Sequence, residues 1–392
     1  MIDLLYLVWR YLVFHRWKTL ILVMSITLII YLPVGLNVLV DQSARQLTAR
    51  AEATPLLIGA RGSPLELTLN SLYFESDTPA PTQFAEVDRV RETGLAEPIP
   101  LYVRFKVRGF PIVGTTLAYF DFRGTSFSDG RPMAVLGEAV LGATVARELG
   151  ITTGDSIISS PENVFDLAGV YPLKMKVVGI LEPTFTADDS AIFVDIKTTW
   201  IMQGLGHGHQ DLQAADASSA VLARDGNTVV ANASIVQYNE ITETNIASFH
   251  FHGDNTGFPV SAVLAVPKDK KSGVILQGRY TVNEEPNQII RPADVITDLL
   301  GTVLTIQQFV IAAVVIIGLA TFATAILVFL LSIRLRRREL LTLFKIGAAK
   351  STVSGLLLAE VVGVVCASIL LAAVLTTLTS RFGADLIKAF LL

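Results

Sequence analysis

The sequence predicts a membrane α-helical protein of three spans, with a large α+β extracytoplasmic domain between spans one and two. Three observations carry that prediction. The chain has three long apolar runs, arginine-rich flanks beside them, and between the first two runs a segment punctuated like a soluble domain. Of 392 residues, 51% are hydrophobic and 17% charged, fewer charges than the roughly 25% of ordinary soluble chains. A net charge of −4 gives no basic surface for nucleic acid. The single cysteine, Cys366, lies in an apolar run, so an internal disulfide framework and a CxxC motif are both excluded.

The first span is read at residues 19–40, TLILVMSITLIIYLPVGLNVLV, which carries no charge. About 20 apolar residues cross roughly 30 Å of hydrocarbon as a helix. The run is too long for a signal-peptide core and no small-residue cleavage site follows it, so it is expected to remain as an anchor. Residues 1–18 precede it, with Arg10, His15, Arg16 and Lys18 against only Asp3, which places this end on the cytoplasmic side. Leu4, Leu5, Val8, Leu12 and Val13, with Trp9 and Trp17, fit an amphipathic helix in the membrane interface. Pro33 and Gly35 allow either a hinge or close packing within the span.

A second uncharged run, Phe309 to Ile333, closes a stalk and span at 299–333 and ends in Arg334-Leu-Arg-Arg-Arg338, which fixes that end as cytoplasmic. Residues 334–352 form the cytoplasmic connection, 353–378 the third span and 379–392 a tail. No fourth apolar run follows, so the C-terminus is expected outside. Glu360 is the only charge in span three, and an ionisable side chain there calls for a partner or a wet environment. It either serves function directly, reaches toward the interface or pairs with a neighbouring span.

Residues 41–298 change to short β-branched runs separated by Gly, Pro and Asp. Strands are expected at Pro100–Val107, Met175–Leu181, Ala191–Val194, Ser219–Ala223 and Ser261–Val266, with helices at Ala143–Leu149 and Phe84–Thr93. Gln203 to Ser218 is read as a lobe boundary or a loop. Two His-x-His pairs, His207 with His209 and His250 with His252, stand in this region. Residues two apart on a strand share a face, so each pair can present two imidazoles to zinc or another transition metal, with Asp211 and Asp254 nearby. Surface histidines are the plain alternative, because some 40 residues separate the pairs and nothing in the sequence joins them.

Several patterns then occur in a specific order: Gly114-Thr115-Thr116, Tyr119-Phe120, Gly130-Arg131-Pro132, Val135-Leu136-Gly137, Val145-Ala146, Leu149-Gly150, Gly154-Asp155, Val177 to Leu181 and Ala191 to Val194. With Arg338-Glu339, Ile346-Gly347-Ala348 and Glu360, they make the chain resemble the FtsX-like permease superfamily, which includes the MacB and LolC/LolE types. The resemblance implies an inner-membrane permease with a MacB-like periplasmic domain, working as a dimer with an ABC-type ATPase subunit. It departs at the C-terminal end, where the family's usual fourth span and cytoplasmic C-terminus are absent.

Within the cytoplasmic segment, Leu340, Leu341, Leu343, Phe344 and Val353 fall at helical spacing, interrupted at Gly347. The resemblance makes this a coupling helix, with Arg336, Arg337, Arg338, Glu339, Phe344, Lys345 and Gly347 at the ATPase contact. Read without it, the basic residues are topology signals. The run Gly347-Ala-Ala-Lys350-Ser351 has Ala349 where a phosphate loop needs glycine. ATP is therefore expected to act through the partner subunit, and no catalytic residue is assigned here. Three functional classes follow: transport or extraction of an envelope or lipophilic substrate, or of a metal; FtsX-type mechanical signalling to an external partner such as a periplasmic adaptor or lipoprotein; and a metalloenzyme on an anchor. The third lacks an HExxH-like glutamate beside its histidines.

Overall fold

The structure is a computed structural model that describes residues 2–75, 78–160, 172–208, 221–225, 228–231, 239–281, 286–345 and 347–391. It divides into two compact units, one of Met1–Leu47 with Asp298–Leu392 and one of Thr48–Thr297. They are called here the membrane unit and the external unit.

The membrane unit is built on helices α1 (Ile2–Phe14), α2 (Arg16–Glu52), α3 (Pro292–Leu335), α4 (Arg337–Lys345) and α5 (Lys350–Leu391). Three of them, α2, α3 and α5, are long and apolar enough to cross a bilayer, in agreement with the three expected spans. Helix α1 turns Val8 inward and leaves Tyr6, Trp9 and Phe14 exposed, the arrangement of an interfacial helix. Gly363 of α5 faces it, and a Cβ there would make ordinary contact with Leu12 at 3.4 Å and Val8 at 4.0 Å.

Leu22 of α2, Ala325 of α3 and Val364 of α5 form a small core to which Val23, Ile26 and Phe329 add. Small residues bring the backbones close where lipid supplies no hydrophobic drive. Thr27 donates to the Ser368 carbonyl at 3.3 Å and Ser368 donates to the Val23 carbonyl at 3.3 Å. Further along, Tyr31 and Thr379 share a 2.7 Å hydrogen bond and Gln307 donates to Asn37 at 2.8 Å. Pro33 lies inside α2, which continues through it, and Gly35 lies against the Tyr31 ring.

The external unit is α+β, built on an eleven-stranded mixed sheet among the described residues. Its path, named from the strands, is β8 (Asn239–Glu240), β5 (Leu173–Leu181), β4 (Glu138–Leu141), β6 (Ile192–Asp195), β3 (Phe110–Thr115), β2 (Ala96–Val107), β10 (Ala262–Pro267), β1 (Leu56–Ala60) and β11 (Asn287–Ile290). Strand β2 begins earlier than its sequence suggests because Pro98 and Pro100 disguise it. The prolines are tolerated because β3 pairs only from Tyr102 onward, while β10 pairs with the proline-bearing half.

A separate two-stranded sheet joins β7 (Gly206–Gly208) to β9 (Phe249–Phe251). The helices Ala143–Leu149 and Ala85–Thr93 form as expected. Of the expected strand Ser219–Ala223, residues 219 and 220 lie outside the described residues, and Val221–Asp225 is a strand. The core centres on Trp200, 1% exposed, with the Phe84, Phe251 and Phe258 rings edge-on at 5.2, 6.1 and 5.1 Å.

Gly130 has φ +75°, and a Cβ there would lie 2.1 Å from the Val178 carbonyl oxygen. Gly154 has φ +101° with open space around it. Gly130→Ala should therefore cost more than the roughly 1–2 kcal/mol of left-handed strain alone, and Gly154→Ala about that much. Thermal melts of the two variants should rank in that order, with Gly130→Ala the lower.

Candidate functional site

At the arginine-rich end of the membrane unit, the geometry is set by one carboxylate. Glu360, 4% exposed, lies on α5. Lys18, in the first turn of α2, brings Nζ to 3.3 Å from Oε1 and donates to Ser332 Oγ of α3 at 2.7 Å. Arg336, in the link between α3 and α4, donates from Nη1 to Oε2 at 3.1 Å. Its guanidinium lies 3.8 Å from the Tyr11 ring centre, and Lys18 Nζ lies 5.3 Å from that of Phe329. A buried carboxylate is costly unless paired and hydrogen-bonded. Here two cations from different parts of the chain, Lys18 and Arg336, pair with it.

Helix α4 follows directly. Arg337, Arg338, Leu341 and Lys345 are exposed on it, and Gly347 stands just beyond it with φ +97°. Glu339 and Phe344 lie on the same helix. Of the expected contact residues, Arg336 is drawn into the Glu360 cluster, with its side chain only 14% exposed. Sequence reasoning missed Lys18 and Tyr11 as partners of this site. Lys18 was legible only as a basic flank, because its pairing spans 342 residues.

A second charge cluster lies within the external unit. Arg50, in the last turn of α2, donates to Asp188 at 3.0 and 2.8 Å, to the Tyr119 hydroxyl at 3.0 Å, and to the Leu72 carbonyl. Tyr119 in turn donates to Asp188 at 2.7 Å. Burial opposes the Asp188 charge, yet the Arg50 charge and the hydrogen bonds from Arg50 and Tyr119 outweigh it and hold the carboxyl below the usual range. Burial pushes the Tyr119 hydroxyl up to about 12. Burial also works against the Arg50 charge, but Tyr119 and Asp188 overcome it and raise the guanidinium. No sequence signal marked Arg50 or Asp188.

The histidines form a third group. Antiparallel pairing of β7 with β9 sets His207 opposite His250, the connection that the sequence did not supply. Gly206 and Gly208 stand opposite Phe251 and Phe249, where a Cβ would meet the rings at 2.6 and 2.7 Å. The phenylalanines pack on the core and the histidines take the other face. His207, His250 and His252 each offer a nitrogen within 4.8 Å of the others, a set that can coordinate a metal. His209 and Asp211 lie outside the described residues. Asp254 is engaged otherwise, accepting from the Thr256 N–H at 3.1 Å and hydroxyl at 2.8 Å.

Three helices long and apolar enough to span a membrane, a large α+β unit between the first and second of them along the sequence, and a short basic helix between the last two make up the chain. Residues 19–238 match the model of the MacB-like periplasmic core domain, and the chain belongs to that family. Membership makes it a permease component of the MacB and FtsX kind, with a large extracytoplasmic domain. The extracellular domain of the noncanonical ABC-type transporter YknZ from Gram-positive bacteria is similar at 12% identity and TM-score 0.33, covering 60% of this chain and 98% of that one. The periplasmic region of MacB from Actinobacillus actinomycetemcomitans is similar at 10% identity and TM-score 0.34, covering 64% and 95%. No curated protein matches. The assignment rests on the family match.

Breaking the Arg50–Asp188 pair should be expensive, because either partner alone is a buried charge. Asp188→Asn is expected to cost on the order of 3–5 kcal/mol near neutral pH. The folded Asp188 pKa is depressed, so its contribution is complete above the unfolded value of about 3.9 and is lost as pH falls through the folded value. Denaturant titrations should show the gap between wild type and Asp188→Asn closing only in strong acid.

Proposed function

We propose that the chain is the membrane subunit of an ABC-type transporter, moved by ATP hydrolysis in a separate subunit and acting on an envelope or lipophilic substrate. The observation that carries this reading is α4, a short helix between two spans that exposes Arg337, Arg338 and Lys345. Those residues form the partner contact, with Glu339, Phe344 and Gly347 on or beside the same helix. Arg336 has a different task. Its guanidinium ties the root of α4 to Glu360 of α5 and, through that carboxylate, to Lys18 of α2. A push on α4 then reaches three helices through charge-assisted hydrogen bonds, and no catalytic group is needed in this chain.

The chain acts as a homodimer in this reading, with lipid or the second copy covering exposed apolar residues such as Phe309, Ile316 and Leu370. A periplasmic adaptor or lipoprotein would take the motion onward. ATP acts through the partner, and the ligand proposed for this chain itself is zinc or another transition metal at the histidine cluster.

Reversing two charges tests the coupling. Arg337→Glu with Arg338→Glu should lower stimulation of the cognate ATPase at least about tenfold, since reversed charges oppose docking, with the melting temperature unchanged. Full stimulation in that variant, or labelling of α4 by impermeant reagents from outside, would overturn the proposal. Glu360→Gln should instead lower the melting temperature of the detergent-solubilised chain, because Lys18 and Arg336 lose their shared anion. Substrate accumulation in vesicles would distinguish transport from mechanical signalling.

A further inference from the structure

The geometry points to His207, His250 and His252 as a three-imidazole centre for a divalent first-row transition ion, with its remaining coordination position open to the extracytoplasmic medium. This rests on the reading of the cluster as a metal site. It adds which atoms ligate, which ions are excluded and what binding does to the fold.

The three rings form a closed triangle, with centroids 5.1 Å apart between His207 and His250, 4.9 Å between His207 and His252, and 4.8 Å between His250 and His252. Nε2 of His252 lies 3.4 Å from Nε2 of His207. Two nitrogens bound at about 2.0–2.1 Å to a tetrahedral ion stand roughly 3.3–3.4 Å apart. That edge of a coordination polyhedron is already in place, and the third nitrogen needs a modest ring rotation.

His250 supplies the orientation. Its Nδ1 lies 2.9 Å from the Ser248 carbonyl oxygen, which can only accept, so Nδ1 carries the proton and the lone pair sits on Nε2. A backbone carbonyl holding the second nitrogen is the usual way a ligating histidine has its tautomer and ring plane set. The rings also stand on a stiff base. Phe251 packs edge-on to Trp200 and lies 5.8 Å from Phe258, and the Phe–His alternation of β9 turns the imidazoles outward as it turns the phenylalanines in.

The donor set selects the ion. Neutral imidazole suits zinc, copper and nickel, whereas calcium and magnesium require oxygen donors. The carboxylate of Asp254 accepts from Thr256 and is not among the three side chains grouped here. His207 and His252 are exposed, so a water or an external ligand completes the set. An ion held by His207 and His250 bridges β7 and β9 across their pairing, so binding should stabilise the external unit.

The test uses the full-length, tag-free chain in detergent, stripped with chelator and dialysed against micromolar zinc. Wild type should retain about one ion per chain and gain several degrees in melting temperature. Cobalt substituted for zinc should give the intense visible bands of four-coordination. His207→Ala, His250→Ala and His252→Ala should each weaken binding at least about tenfold, while His15→Ala should leave it unchanged. No retained zinc in wild type would overturn the metal reading as a whole. Zinc retained with unchanged affinity in the triple variant, or cobalt in a six-coordinate spectrum, would leave metal binding standing and overturn this assignment of ligands and geometry.

Discussion

A carboxylate placed where water is scarce must be neutralised by its surroundings, and Glu360 organises the membrane unit by that requirement. Lys18 and Arg336 reach it from opposite ends of the sequence, and Ser332 holds Lys18 from α3. The cluster therefore gathers the first turn of α2, the end of α3 and the third turn of α5 around one anion. The Tyr11 ring beneath Arg336 adds α1 to the same assembly. Apolar spans slide against one another at little cost in lipid, because nothing hydrophobic distinguishes one register from the next. Directed charge pairs do distinguish them.

The external unit repeats the device at larger scale. Arg50, Asp188 and Tyr119 form a closed set of donors and acceptors in which each group's charge or hydrogen is used. Arg50 belongs to the last turn of α2 and Asp188 to a short turn between β5 and β6. The last turn of α2, from Thr48 on, thus belongs to the external unit. Replacing such a pair with apolar residues is often tolerated, whereas removing one member is not.

The membrane topology was legible because its signals are local. Length without charge identifies a span, and arginine at one flank orients it; neither needs a distant partner. The helix Ala143–Leu149 was similarly readable from the glycines on both sides. Strand β2 was only half legible, since Pro98 and Pro100 mask a segment whose tolerance for proline comes from the incomplete pairing of its neighbour. The order of eleven strands had no local signal, because which strand lies beside which is decided by chain closure over long separations.

The histidines show the division most clearly. Alternation along Phe249-His250-Phe251-His252 by itself determined that the imidazoles share a face opposite the phenylalanines, since a strand has a period of two. That His207 joins them was decided by antiparallel register between β7 and β9, which no property of either segment reveals alone. In the same way, the sequence alone determined that Glu360 needed a partner or a wet environment, through the cost of a charge in hydrocarbon. Tertiary structure chose Lys18 and Arg336, because pairing across 342 residues depends on how helices pack and not on what stands next to what along the chain.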